Sequence, residues 1–199
     1  MARIDYYISL NSPWTFMGSE RLAKIAADAG AEVDCVPVNL GNVFAETGGL
    51  PLPKRSPERQ AYRMMELKRW REYNGIPLVL EPKHFPHDEI EGVRLVLAAK
   101  KTGGDAHAMS TELLRALWEL DKDPADQGVQ DEAAKRAGLD AAALRSAVST
   151  DEARATWDAA TKDAISKGVF AAPTYVIDGE IFWGQDRLDF VERKLARRS

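Results

Sequence analysis

Strand-like segments occur only near the two ends of this chain, and a long helical stretch separates them. Residues 3–10 are rich in Ile and Tyr, with Ile4, Tyr6 and Ile8 on one face of a period-two pattern. Asn11-Ser12-Pro13-Trp14 follows at once. Ser at an N-cap with Pro at the first helical position is a helix start. Phe16, Leu22, Ile25 and Ala26 carry that helix to Gly30. Residues 32–38 read as a second strand, with Pro37 at its edge or end. At the far end, residues 173–177 form a strand, Asp178-Gly179 signals a tight hairpin, and residues 180–183 return. Gly184-Gln185-Asp186 then opens a last helix carrying Leu188, Phe190, Val191 and Leu195, with Asp186 as its cap. Arg193, Lys194, Arg197 and Arg198 fall in its last turn, where cations suit the helix dipole.

Residues 41–57 are punctuated by Gly48-Gly49, Pro51, Pro53 and Pro57, and read as a long loop of the kind that often carries function. Helices are predicted over 57–73, 88–101, 107–121, 127–137, 140–148 and 150–167. The order β-α-β, helical block, β-β-α is that of an α/β thioredoxin-type fold with a large all-helical insertion. Its expected divisions are an N-terminal half over 1–44, the insertion over 45–167 and a C-terminal half over 168–199. Topology does not by itself give function.

Composition narrows the choices. The 199 residues suit one domain with such an insertion. Lys and Arg number 27 against 31 Asp and Glu, a net charge of −4, which leaves no basic footprint for nucleic acid. No apolar run approaches a membrane span, and no signal peptide is visible, so a cytoplasmic location is expected. The single cysteine, Cys35, excludes an intramolecular disulfide and any multi-cysteine metal site. His84-Phe85-Pro86-His87 lacks further ligands, and no metal is expected there.

Three local signals carry chemistry. Ser12 stands where a helix N-terminus gathers backbone N–H groups and positive dipole, so its hydroxyl either caps the helix or points at a bound anion. Ala171-Ala172-Pro173-Thr174 puts a proline at the start of a strand. In Trp183-Gly184-Gln185-Asp186-Arg187, Gln185 and Asp186 could grip a charged ligand end, with Asp186 on an ammonium group. Trp14, Trp70, Trp157 and Tyr62 fall at helical spacing, as core or pocket wall.

Together these segments resemble the 2-hydroxychromene-2-carboxylate isomerases and, more broadly, kappa-class glutathione transferases and the DsbA-like branch of the thioredoxin fold. The resemblance rests on residues 8–15, 168–174 and 182–188, and it spans essentially the whole chain. DsbA-like oxidants carry Cys-x-x-Cys at the helix start. Here the positions are Ser12-Pro13-Trp14-Thr15, and dithiol exchange is excluded. The resemblance implies that Ser12 contacts the sulfur of bound glutathione, with Pro13 and Trp14 in the same turn. It implies that Ala172, before a cis Pro173, pairs with the tripeptide backbone, and that Gln185 and Asp186 lie near its γ-glutamyl end. It further implies interconversion of a 2-hydroxychromene-2-carboxylate and a hydroxybenzylidenepyruvate in aromatic catabolism. Asn42, Lys54, Arg55 and His84 are the candidates for the substrate carboxylate. The expected partners are therefore glutathione and a small aromatic substrate, with a homodimer left open. Two positions depart from the family pattern: Ser9, where an Asp is common, and Gly48-Gly49, where Gly-Asn is common. Two alternatives stay open, a kappa-like transferase that consumes glutathione and a redox-inactive thioredoxin-fold binding protein.

The magnitudes suit a thiolate role. A thiol of pKa about 8.5 is only a few per cent ionised at pH 7. A hydroxyl hydrogen bond to an anion contributes about 1.5–3 kcal/mol, and a helix N-terminus about 0.3–1 kcal/mol. Even after subtracting what water gives the thiolate, a shift of roughly one to two pKa units is within reach.

Overall fold

The structure, a computed structural model, describes residues 2–197, so Met1, Arg198 and Ser199 lie outside it. Four strands, β1 (Arg3–Ile8), β2 (Glu32–Pro37), β3 (Thr174–Ile177) and β4 (Glu180–Trp183), form one sheet in the order β2-β1-β3-β4. β1 runs parallel to β2 and antiparallel to β3, and β3 is antiparallel to β4. A parallel pair needs a crossover, which α1 (Pro13–Asp28) supplies. Pro37 ends β2 on the sheet edge, where no ladder N–H is missed. The hairpin between β3 and β4 turns at Asp178 (φ 53°) and Gly179 (φ 80°), the left-handed pair that an Asp-Gly turn adopts.

Successive side chains of β1 serve opposite faces. Ile4, Tyr6 and Ile8 join the larger core with Leu22, Ile25, Tyr175, Ile177, Leu188 and Val191. Tyr7 joins a smaller cluster with Val38, Val43, Ala164, Val169 and Val176. The central strand is therefore buried on both sides, and both faces must be covered by helices.

Six helices lie between β2 and β3 beyond the first loop: α3 (Pro57–Asn74), α4 (Ile90–Lys101), α5 (Ala106–Trp118), α6 (Gln127–Arg136), α7 (Ala141–Ala147) and α8 (Thr150–Ser166). Asp105, Asp126, Asp140 and Ser149 cap α5 to α8 by accepting backbone N–H groups two or three residues on, each at about 1 kcal/mol. Val93, Val96, Leu113, Leu117 and Trp118 of α4 and α5 belong to the same core as β1 and α1.

Two expectations are corrected. The stretch 41–57 is not one long loop: α2 (Leu40–Thr47) occupies its first part, and Leu52–Lys54 makes a single 3₁₀ turn. Asn39 starts α2 by accepting the Asn42 N–H at 3.2 Å, and Gly48 ends it in the left-handed region at φ 79°. Asp186 is not a helix cap. Gly184, at φ 101°, turns the chain so that Gln185–Arg187 form a 3₁₀ turn, and α9 (Leu188–Ala196) follows with no side-chain cap. The Asp186 carboxylate instead accepts from Arg187 Nη1 at 2.9 Å. At the other end of α9, Lys194 holds Glu180 at 2.7 Å and Arg193 lies over Phe190.

Candidate active site

Ser12 is the N-cap of α1 in extended backbone geometry, and it is buried. Its Oγ accepts the Thr15 N–H at 3.1 Å, and its carbonyl accepts the Phe16 N–H at 3.1 Å. Pro13 has no N–H to place. Trp14 N–H is then the first-turn donor with no acceptor among the described residues. The Ser12 hydroxyl donates to the Ala172 carbonyl at 3.5 Å, a long bond easily redirected to a better acceptor. That contact joins two positions 160 residues apart.

The Ala172–Pro173 peptide is cis, as expected, and so is Phe85–Pro86, which nothing in the sequence marked. Thr174 Oγ1 donates to the Ala171 carbonyl at 2.7 Å, and Gly184 N–H donates to the Pro173 carbonyl at 2.9 Å. These bonds hold the strand entry from both sides. Gln185 is buried, and its Oε1 accepts from Asn74 Nδ2 at 3.5 Å. A methyl group added at Gly18 would stand 3.1 Å from Gln185 Cβ and 2.9 Å from Tyr175 Oη, so α1 carries no side chain where this turn presses on it.

A carboxyl group that the sequence did not connect to the site lies beside it. Glu89, just before α4, accepts from Ser9 Oγ at 2.9 Å and from the Asn11 N–H at 3.2 Å through one oxygen. Burial pushes this carboxyl above the usual range, against the two hydrogen bonds that favour its ionised form. Asn11 also exchanges bonds with His87: its Nδ2 donates to the His87 carbonyl at 2.9 Å, and its Oδ1 accepts the His87 N–H at 3.0 Å. Ser9, the position where the family pattern often has Asp, thus sits against the carboxyl group of Glu89. Asp88-Glu89 reads in sequence as an ordinary helix start, and no local pattern ties it to a residue 80 positions away.

The candidates for the substrate carboxylate are less well gathered. Asn42 is exposed in the first turn of α2, and Lys54 is exposed at the end of the 3₁₀ turn. His84 is exposed with Nδ1 3.6 Å from Asp123. No hydrogen bond links these three to Ser12 or Ala172 among the described residues. Trp157 is buried, Trp14 and Trp70 are half-buried, and Tyr62 is exposed, so the aromatic wall is only partly core. Cys35 is buried with Sγ 3.6 Å from Ser110 Oγ, and burial pushes its thiol up to about 12, which makes it inert. Among the described residues no group of three His, Cys, Asp or Glu is placed to hold a metal, and no helix is long and apolar enough to cross a membrane.

Comparison with known proteins finds likeness along nearly the whole chain. A 2-hydroxychromene-2-carboxylate isomerase of Sphingobium xenophagum is 28% identical over 193 residues, spanning 96% of this chain and 97% of that protein. One of Pseudomonas putida is 27% identical over 197 residues, spanning 98% and 94%. A solved 2-hydroxychromene-2-carboxylate isomerase superposes with a TM-score of 0.80 at 26% identity, over 98% of this chain and 95% of that one. The model of the DsbA-like thioredoxin domain matches residues 3–196, and the chain belongs to that family.

Proposed function

We propose that this protein is a glutathione-dependent isomerase acting on 2-hydroxychromene-2-carboxylate or a close analogue. The observation that carries the reading is the Ser12 hydroxyl, seated at a helix N-terminus in a turn without cysteine and aimed at the Ala172 carbonyl. The near-full-length likeness to proteins bearing that isomerase name supports it.

The residues present fit a cysteinyl tripeptide. Ser12 Oγ has one proton to give, and its present acceptor at 3.5 Å holds that proton weakly. Trp14 N–H points from the same turn with no acceptor among the described residues. Ala172 offers backbone groups beside Ser12, and Gln185 and Asp186 stand in the 3₁₀ turn that packs against α1 at Gly18. When bound, glutathione supplies a thiolate nucleophile that adds reversibly to an enone and so lets its double bond rotate. Ser12 holds a proton toward that sulfur and favours its ionised form. The α1 N-terminus adds its dipole. Thr15 N–H fixes the Ser12 oxygen, so the hydroxyl turns only through its proton. Ser12 stays protonated throughout.

The test follows the absorbance of the carboxylate substrate with purified protein, with and without glutathione. Isomerisation that needs glutathione and leaves its concentration unchanged is expected. Stoichiometric loss of glutathione would favour a transferase, and no turnover at any glutathione concentration would overturn the reading.

A further inference from the structure

The proposed substrate carries a carboxylate, and the residues first considered for it are scattered. Arg55, the remaining candidate, heads a group of cations that is not. Arg55 follows the 3₁₀ turn, and Arg59 and Arg63 follow at intervals of four on the first turns of α3. No carboxylate lies within ion-pair distance of any of the three among the described residues. Arg69 on the same helix holds Glu66, and Arg94, Arg115 and Arg145 elsewhere in the helical block each hold carboxylates. In a chain of net charge −4, an unpaired run of arginines is not explained by a shortage of acids.

Two of the three are not free surface cations. Arg63 is half-buried, with its guanidinium 5.6 Å from the centre of the Phe85 ring. Arg55 is half-buried and spends Nε on the Leu50 carbonyl at 2.8 Å. Phe85 leads into Pro86 and His87, whose backbone exchanges two hydrogen bonds with Asn11, the residue before Ser12. Residues 85–87 thus run from the Arg63 contact to the residue before Ser12. Burial and the neighbouring Arg55 charge lower Arg63 to about 10, so it stays cationic at neutral pH at a cost that a bound anion would relieve. Leu50 beside Arg55 is 47% exposed, an apolar surface next to the charge.

We propose that Arg55 and Arg63 form a carboxylate-binding site beside the Ser12 turn, with Arg59 adding charge at its rim. The planar fork of arginine suits a carboxylate held by two parallel hydrogen bonds. The inference rests on the proposed function for its ligand, and that ligand's carboxylate has two sources: the aromatic substrate or the glycyl end of glutathione.

Titration calorimetry with two pairs of probes tests it. One pair is 2-hydroxycinnamate and its methyl ester, and the other is glutathione and its glycyl ethyl ester. The wild-type protein should bind one acid better than its ester. Arg63→Met and Arg55→Met should weaken that acid by roughly ten- to a hundredfold, the range of one charge-assisted hydrogen bond, and leave the ester unchanged. Loss confined to 2-hydroxycinnamate assigns the site to the substrate, and loss confined to glutathione assigns it to the tripeptide. Arg63→Lys keeps the charge without the fork and should lose less, which gives a readout even where Arg63→Met folds poorly. Equal binding of acid and ester by the wild type, or variants that bind both acids as the wild type does, would overturn the site. These readings need no turnover, so failure of the isomerase reading, with no activity toward the carboxylate substrate, shows separately.

Discussion

The thioredoxin-like part and the helical block between its halves settle their polar groups by different means. In the helical block the helix starts are closed by short-range bonds, with Asp105, Asp126, Asp140 and Ser149 each capping the helix that follows, and Arg94 ties α4 to the Arg145 and Val148 carbonyls. Around the sheet the informative bonds join distant segments, Ser12 to Ala172 across 160 residues and Gly184 to Pro173 between strands. The two parts are joined at several places, among them Asn39 to Thr161 and Asn74 to Gln185, and next to the Ser12 turn Ser9 and Asn11 at the end of β1 hold Glu89 and His87 at the approach to α4. Local bonds build scaffolding that tolerates change. Long-range bonds hold elements together, and around Ser12 they also gather the candidate site.

The largest expected effect tests whether the two regions are energetically separate. Leu113 of α5 is fully buried in the core that also holds β1 and α1. Leu113→Ala should cost about 2–5 kcal/mol and lower a single denaturation transition seen alike by circular dichroism and tryptophan fluorescence. Two transitions, only one of them shifted, would show that the helical block folds by itself.

Ser12→Ala strikes the long-range side of the comparison. Loss of the hydroxyl should remove about 1.5–3 kcal/mol of thiolate stabilisation, or roughly ten- to a hundredfold in thiolate population at neutral pH. The helix N-terminus remains, so the loss is partial; turnover should fall at pH 7 and recover in part as rising pH ionises the thiol. Its capping role predicts a loss of about 1 kcal/mol in stability as well. Thiolate absorbance of the complex against pH checks the first effect, and thermal melting the second. An unchanged titration and rate would leave Ser12 as a cap alone.

Glu89→Gln sharpens the junction next to the Ser12 turn. The raised carboxyl means that folded protein keeps its proton where the unfolded chain has lost it. Stability is therefore full below the ordinary carboxylate range and falls as pH rises toward the raised value. Glutamine still accepts from Ser9 and Asn11 but cannot ionise. The variant should match the wild type in acid and exceed it in denaturation midpoint at neutral pH, a difference read by urea melts across pH. Parallel pH profiles would show that this carboxyl is not set by its surroundings.

Asp126→Ala gives the smallest effect. Its carboxylate accepts the Val129 N–H at 3.0 Å on an exposed turn. The substitution should cost about 1 kcal/mol and leave glutathione binding and turnover as they were. A change in turnover would mean that the local bonds of the helical block reach the site after all.

Much of this molecule follows from its sequence because the deciding interactions are close in the chain. Ser12-Pro13 starts a helix by its own geometry, Asp178-Gly179 turns a hairpin by its own dihedral angles, and Asp or Ser before each of α5 to α8 caps it in place. The missing thiols in the Ser12 turn exclude dithiol exchange from composition alone. Where local signals compete, sequence reading falters: the Gly and Pro residues after position 47 hid α2, and the Gly184 turn took Asp186 away from the helix it was expected to cap. Other features were decided only by folding. Glu89 is a surface-type residue until the helical block sets it against Ser9 and Asn11. Arg63 is one of many cations until it lies on Phe85 with no carboxylate in reach among the described residues. Both depend on burial and on partners far away in the chain, and no stretch of sequence contains the dielectric or the neighbour that gives a charge its role.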